Sequence, residues 1–210
     1  MAGKKDLQAM IKDALILFCI TLISGLVLGF VYELTKEPIR LQKEKAIKEA
    51  CQEVFADAEV FEAFVYEPSP GLQAELSDAG VSVGQVFEAF DEAGTHLGFV
   101  VESITSEGYG GKITLYCGVR EDGTLNGISI LEISETPGLG MNAQTELVPQ
   151  FAGKQESHFT YTKTGSQSSA EIDAISGATI TTKAVTEAVN GGLKAARELA
   201  EAGIGGGTHE

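Results

Sequence analysis

The chain has 210 residues, with 15 Lys and Arg against 30 Asp and Glu, for a formal net charge of −15. Hydrophobic residues make up 43 % and charged residues 21 %, which is enough apolar material for a core and excludes wholesale disorder. The acidic balance argues against nucleic acid as a partner, and the scattered His96, His158 and His209 give no metal-ligand spacing, so no metal is expected.

The charge divides along the chain. Residues 1–48 carry 8 Lys/Arg and 5 Asp/Glu, net +3, while residues 49–210 carry 7 and 25, net −18. A basic end joined to an acidic body implies two environments. Residues 1–13 form an N-terminal segment, and Ala14 to Tyr32 is an uncharged, mostly apolar run. As a helix its 19 residues span roughly 28 Å, close to the hydrocarbon thickness of a bilayer. A buried core helix of this length would show a polar stripe, and a cleaved signal peptide would be followed by a small-x-small site. Neither feature is present, so the run is taken as an uncleaved transmembrane anchor. Lysines flank it on both sides, and charge alone does not orient it. Gly25 and Gly29 form a GxxxG spacing that permits close approach of another membrane helix.

Residues 33–56 are expected to be a helical connector, with Ala46, Ile47, Ala50, Cys51 and Val54 on one face. A soluble domain follows over residues 57–203. Residues 66–82 are rich in turn formers and are expected to be irregular. Four strand-like runs come next: Val83–Phe90, Gly98–Ser103, Lys112–Val119 and Leu125–Ile133. Short breaks separate them, including Asp122-Gly123, a strong hairpin signal. An antiparallel sheet is therefore expected. Thr182 to Ala202 should form an amphipathic helix with Val185, Ala188, Val189, Leu193, Ala196 and Leu199 on its apolar face, stopped by Gly203. Residues 204–210 are expected to be a flexible tail. The fold class is α+β: one transmembrane helix, then an antiparallel sheet with flanking helices. Cys51 and Cys117 suit small buried apolar residues, and no disulfide is expected between them.

Directly before the last helix lies Asp173-Ala-Ile-Ser176-Gly177-Ala178-Thr179-Ile-Thr181-Thr182. As a plain structural element, Ser176 or Thr179 would be the N-cap and Gly177 the turn residue. As a site, hydroxyls and free backbone N–H groups gather where a helix dipole favours an anion such as phosphate. Residues alone leave both readings open.

The segment Asp-x-x-Ser-Gly-Ala-Thr resembles the signature of a family in which FMN is joined through its phosphate to the final Thr. Two more segments match, Gly108-Tyr109-Gly110-Gly111 and Glu135-Thr136-Pro137-Gly138-Leu139-Gly140. With the anchor and the order of the motifs, the chain resembles the G subunits of Rnf complexes, the ion-translocating ferredoxin:NAD⁺ oxidoreductases. The C subunits of sodium-pumping NADH:quinone reductases are related. The resemblance implies one covalent FMN per chain on Thr179, attached by a separate flavin transferase using FAD as donor. It implies cofactor contacts from Ser176, Gly177, Ala178, Thr181 and Thr182, from Glu135 through Gly140, and from Tyr109. Asp173, with Ser176 to Thr179, would form the transferase recognition motif, because a carboxylate beside a phosphate is unfavourable. Asp173 is therefore expected to serve the transferase or to cap its loop.

The resemblance further implies a soluble domain on the extracytoplasmic side of the cell membrane, with residues 1–13 on the cytoplasmic side. Partners would be the other membrane, iron–sulfur and flavin subunits of the complex, with either Na⁺ or H⁺ as the ion moved. No side chain looks like a substrate base or nucleophile, so the chain is expected to be an electron carrier within a larger enzyme. Two alternatives stand beside this reading. One is a C-type subunit or another extracytoplasmic flavinylated carrier; the other, of a different class, is a cofactor-free membrane-anchored scaffold.

Overall fold

The computed structural model describes residues 3–204, so the first two residues and all of the expected tail but Ile204 lie outside the described residues. The chain divides into two compact units, 1–46 and 47–210. Helix α1 (Lys4–Val54) supplies the described part of the first unit and the opening of the second. It is continuous across Pro38, so the connector expected at 33–56 begins as a prolongation of the same helix rather than a separate element. Proline removes one ladder bond, to the carbonyl four residues back. Leu34, at that position, is exposed, and Arg40 bonds Glu37 and Glu44 across the following turns at 2.9 and 2.7 Å. Through the first unit the large apolar side chains stand outward: Phe18, Leu28 and Phe30 are each more than 60 % exposed. Among the described residues this is the one helix long and apolar enough to cross a membrane, and the uncharged, mostly apolar surface of its stretch 14–32 suits lipid.

The second unit is built on a five-stranded antiparallel meander, in the order β1 (Val60–Phe64), β2 (Val81–Phe90), β3 (His96–Gly108), β4 (Gly111–Arg120) and β5 (Leu125–Ile133). Strand β1 has no counterpart among the expected strands. The segment expected to be irregular contains helix α2 (Pro70–Asp78). Its Ser69 hydroxyl caps the Leu72 N–H and Pro70 opens the first turn, a helix-start pattern that looks like a turn cluster when read by composition.

Alternation along β4 sends Ile113, Leu115, Cys117 and Val119 to one face and Tyr116 to the other. The first face packs against α5 (Thr179–Glu201), whose Val185, Ala188, Val189, Leu193, Ala196 and Leu199 are buried as the periodicity predicts. Helix and sheet approach closely at Gly192, where a methyl group would lie 2.8 Å from Cys117 Sγ and 2.9 Å from Ser103 Oγ. The other face is covered by Ala50, Cys51, Val54 and Phe55 from the end of α1 and the turn after it. Cys51 and Cys117 thus belong to different core clusters and are free; burial pushes both thiols up to about 12, so they stay protonated and unreactive.

After β5 the chain runs through a short 3-10 turn, two single-turn helices, α3 (Ala143–Glu146) and α4 (Val148–Phe151), and a two-stranded parallel pair, β6 (Thr160–Thr162) with β7 (Glu171–Asp173). Gly203, at φ +73°, ends α5 as expected, but Ile204, placed in the tail from sequence, packs on the core.

Candidate functional site

The three glycine-bearing motifs, far apart in sequence, meet at the start of α5. The first is the hairpin between β3 and β4, closed by the Gly108–Gly111 pair with Tyr109 and Gly110 at its tip. A methyl group at Gly110 would lie 1.9 Å from the Ser134 carbonyl oxygen, so this hairpin is pressed against the end of β5 backbone to backbone. The second is the turn after β5. Leu139 N–H donates to the Thr136 carbonyl at 3.1 Å, with Pro137 and then Gly138 (φ +77°) at the corners, the type II pattern. The third repeats this design. Ala178 N–H donates to the Ile175 carbonyl at 3.0 Å across Ser176 and Gly177 (φ +76°).

Small residues lock the motifs together. A methyl group at Gly140 would lie 2.7 Å from Thr181 Oγ1 and 2.8 Å from Glu135 Cβ, and one at Gly177 would lie 3.1 Å from Leu139 Cδ2. Glu135 is buried, 7 % exposed; its Oε2 accepts a hydrogen bond from Gly110 N–H at 3.2 Å, and its Oε1 is buried with no partner.

Between them lies a cavity of about 460 Å³, within the range of small-molecule sites. Of the residues singled out from sequence, Tyr109, Glu135, Thr136, Leu139, Gly140, Gly177, Ala178, Thr179 and Thr181 line it. Ser176, Pro137 and Gly138 form the corners of its two turns without lining it. Thr182, also singled out from sequence, does not line the cavity. Its hydroxyl is buried, donating to the Ala178 carbonyl at 3.0 Å and accepting from Ile175 N–H at 3.2 Å, so it fixes the loop from beneath. Ile180 lines the cavity and is not among the residues singled out from sequence. The signal that could find it is an apolar side chain in the first helical turn outside the apolar stripe. It is 55 % exposed, and Tyr109, which lines the same cavity, is 73 % exposed.

Neither Ser176 nor Thr179 is the N-cap. Ala178 holds that position with no side-chain hydrogen bond, and Thr179 is the first helical residue. The first ladder bond runs from Thr182 N–H to the Ala178 carbonyl at 2.9 Å. The N–H groups of Thr179, Ile180 and Thr181 therefore have no acceptor within the helix and, with the dipole, attract an anion.

Asp173, at the end of β7, does not line the cavity. Its Oδ1 accepts from Ser166 N–H, holding the preceding loop, and its backbone N–H and carbonyl are gripped by the Gln150 amide at 2.7 and 3.2 Å. A second cavity of about 310 Å³ lies further along α5, lined by Ser77, Asp78, Gly80, Glu107, Lys183 and Glu187 among others.

Residues 1–54 match the family model described as the RnfG N-terminal region, and residues 108–194 match that of the FMN-binding domain. The chain is 31 % identical over 201 residues to the G subunit of the Na⁺-translocating ferredoxin:NAD⁺ oxidoreductase complex of Acetobacterium woodii, covering 93 % of this chain and 96 % of that one. It belongs to the RnfG family.

Other members, all G subunits of ion-translocating complexes, are similar at the same level. That of the ion-translocating oxidoreductase complex of Methanosarcina acetivorans is 31 % identical, over 90 % of this chain and 94 % of that one. That of the proton-translocating ferredoxin:NAD⁺ oxidoreductase complex of Clostridium ljungdahlii is 32 % identical, over 90 % and 92 %. The crystal structure of Shewanella oneidensis NqrC shares the fold, with a TM-score of 0.51 at 21 % identity over 72 % of this chain and 88 % of that one. All three glycine motifs fall inside the FMN-binding domain of this RnfG protein.

The residues present fit FMN. Three free N–H groups and the Thr179 and Thr181 hydroxyls suit a phosphate. Exposed Tyr109, Leu139 and Ile180 suit a flat apolar ring, and the unpartnered Glu135 Oε1 lacks a donor that a ring N–H would supply.

Proposed function

We propose that this RnfG protein is an electron carrier within a ferredoxin:NAD⁺ oxidoreductase that moves Na⁺ or H⁺ across the membrane. In this reading one FMN is attached through a phosphoester to Thr179. The observation that supports it best is the convergence of three separate motifs on one cavity at the uncapped start of α5, with Thr179 as first helical residue on its wall. A phosphodiester retains one negative charge, and the free N–H groups of Thr179, Ile180 and Thr181 with the helix dipole stabilise it. Gly177 and Gly140 let the backbone come close, while Tyr109, Leu139 and Ile180 exclude water from the ring. The bound flavin supplies one- and two-electron chemistry; the chain supplies position, electrostatics and access.

The anchor would hold the domain at the membrane, on the extracytoplasmic side, beside the other membrane, iron–sulfur and flavin subunits. In this reading a flavin transferase reads the Asp173 to Thr179 segment through its exposed Asp173, Ser176 and Gly177, and Asp173 shapes the preceding loop through Ser166 rather than touching phosphate. The test is co-expression with a flavin transferase, followed by ultraviolet fluorescence of the denatured protein in a gel. The expected result is a fluorescent wild-type band and a dark Thr179→Ala band. Two dark bands, with the transferase active on another target, would leave the cofactor-free scaffold as the reading.

A further inference from the structure

Glu135 is the only buried acidic side chain among the described residues. Oε2 is held by Gly110 N–H at 3.2 Å, whereas Oε1 is enclosed and has no hydrogen-bond partner. Among the described residues no cation forms an ion pair with it. Burying a carboxylate oxygen without a donor is unfavourable and calls for a partner, a role or strain to account for it. Of the five buried polar atoms without a partner among the described residues, Glu135 Oε1 alone belongs to a carboxylate and to a residue lining the larger cavity. The surroundings are built to keep it there. A methyl group would lie 2.8 Å from Oε1 at Gly108 and 2.9 Å from Oε2 at Gly140, so the flanking glycines leave room for this carboxylate and for little else.

We infer that Glu135 accepts a hydrogen bond from a ring N–H of the bound flavin and, as a negative charge in a water-poor wall, holds the flavin's potential low. This rests on the FMN reading above. The reasoning is electrostatic: an electron added to the ring is opposed by a fixed negative charge nearby, and the opposition is strong where the effective dielectric is low. The hydrogen bond fixes the distance at which that charge acts.

The experiment uses the full chain, loaded by a flavin transferase and purified in detergent, with the midpoint potential read by spectroelectrochemical titration. Glu135→Gln keeps the shape and an acceptor for Gly110 N–H but loses the charge, and its potential rises above wild type. Glu135→Asp, which restores the charge, brings it back toward wild type. Glu187→Gln, on the second cavity, leaves it unchanged. Equal potentials in wild type and Glu135→Gln overturn the inference, as does the same rise in Glu187→Gln, which would assign the effect to the acidic body as a whole. A loaded wild type with an unmoved Gln variant sinks only this inference; a wild type without flavin sinks the FMN reading and this with it.

If Glu135→Gln fails to load, reduced-minus-oxidised infrared difference spectra of wild type decide the matter. Carboxylate bands that shift on ¹³C-glutamate labelling support the inference, and their absence overturns it.

Discussion

Two cavities open along the first turns of α5, and they differ in kind more than in size. The larger, about 460 Å³, is walled by Gly177 to Thr181 and by backbone held in two type II turns and a tight hairpin, with apolar side chains at its rim. The smaller, about 310 Å³, is reached one and two turns further along the helix, at Lys183, Ala184 and Glu187, and is lined by three carboxylates and one ammonium. A flat ring needs apolar walls, and a phosphate needs donors with no competing acceptor. The first cavity has both; the second is a charged, solvated face of the same helix. Position along one helix thus separates the candidate site from the second hollow, because only the first turn carries N–H groups without an acceptor in the helix.

Substitutions sharpen that contrast in order of size. Gly110→Ala drives a methyl group into the Ser134 carbonyl oxygen, a backbone atom that cannot rotate away. A loss of up to about 3 kcal/mol is expected, with failure of flavin loading, read by thermal unfolding and flavin absorbance. Thr182→Ala leaves the Ile175 N–H without its acceptor and should cost on the order of 1–2 kcal/mol while Thr179 still takes flavin. Loss of loading with normal stability would return Thr182 to the cofactor. Asp173→Asn keeps an oxygen for Ser166 N–H, so stability should change by less than about 0.5 kcal/mol. Loading under limiting transferase should nevertheless fall, and normal loading would remove Asp173 from the transferase step. Glu187→Gln, on the second cavity, should change neither stability beyond about 0.5 kcal/mol nor loading.

Much of this is legible in the chain because the signals are redundant. The apolar stripe of α5 repeats over many residues, and β2 to β5 are each rich in Val, Ile, Phe and Tyr between turn breaks, so the sheet and its covering helix follow from the chain. The site is legible through motif resemblance, since neither Pro137-Gly138 nor Ser176-Gly177 says by itself which other segment it meets. What escapes has local causes. Helix α2 is nine residues and opens on Ser-Pro-Gly, composition shared with turns. Strand β1 is five residues at the sheet edge, where half-exposed positions blur the alternation. Thr181 lines the cavity while the Thr182 hydroxyl bonds the loop beneath it, and a helix start separates these neighbours by a rotation that composition does not record.

The central claim is attachment at Thr179, and the most direct test is the mass of the peptide 164–183 after co-expression with a flavin transferase. The account predicts one FMN-minus-water adduct, localised by fragmentation to Thr179 and absent from Thr179→Ala. An adduct on Ser176, Thr181 or Thr182, or an unmodified peptide from a preparation made with active transferase, would contradict it.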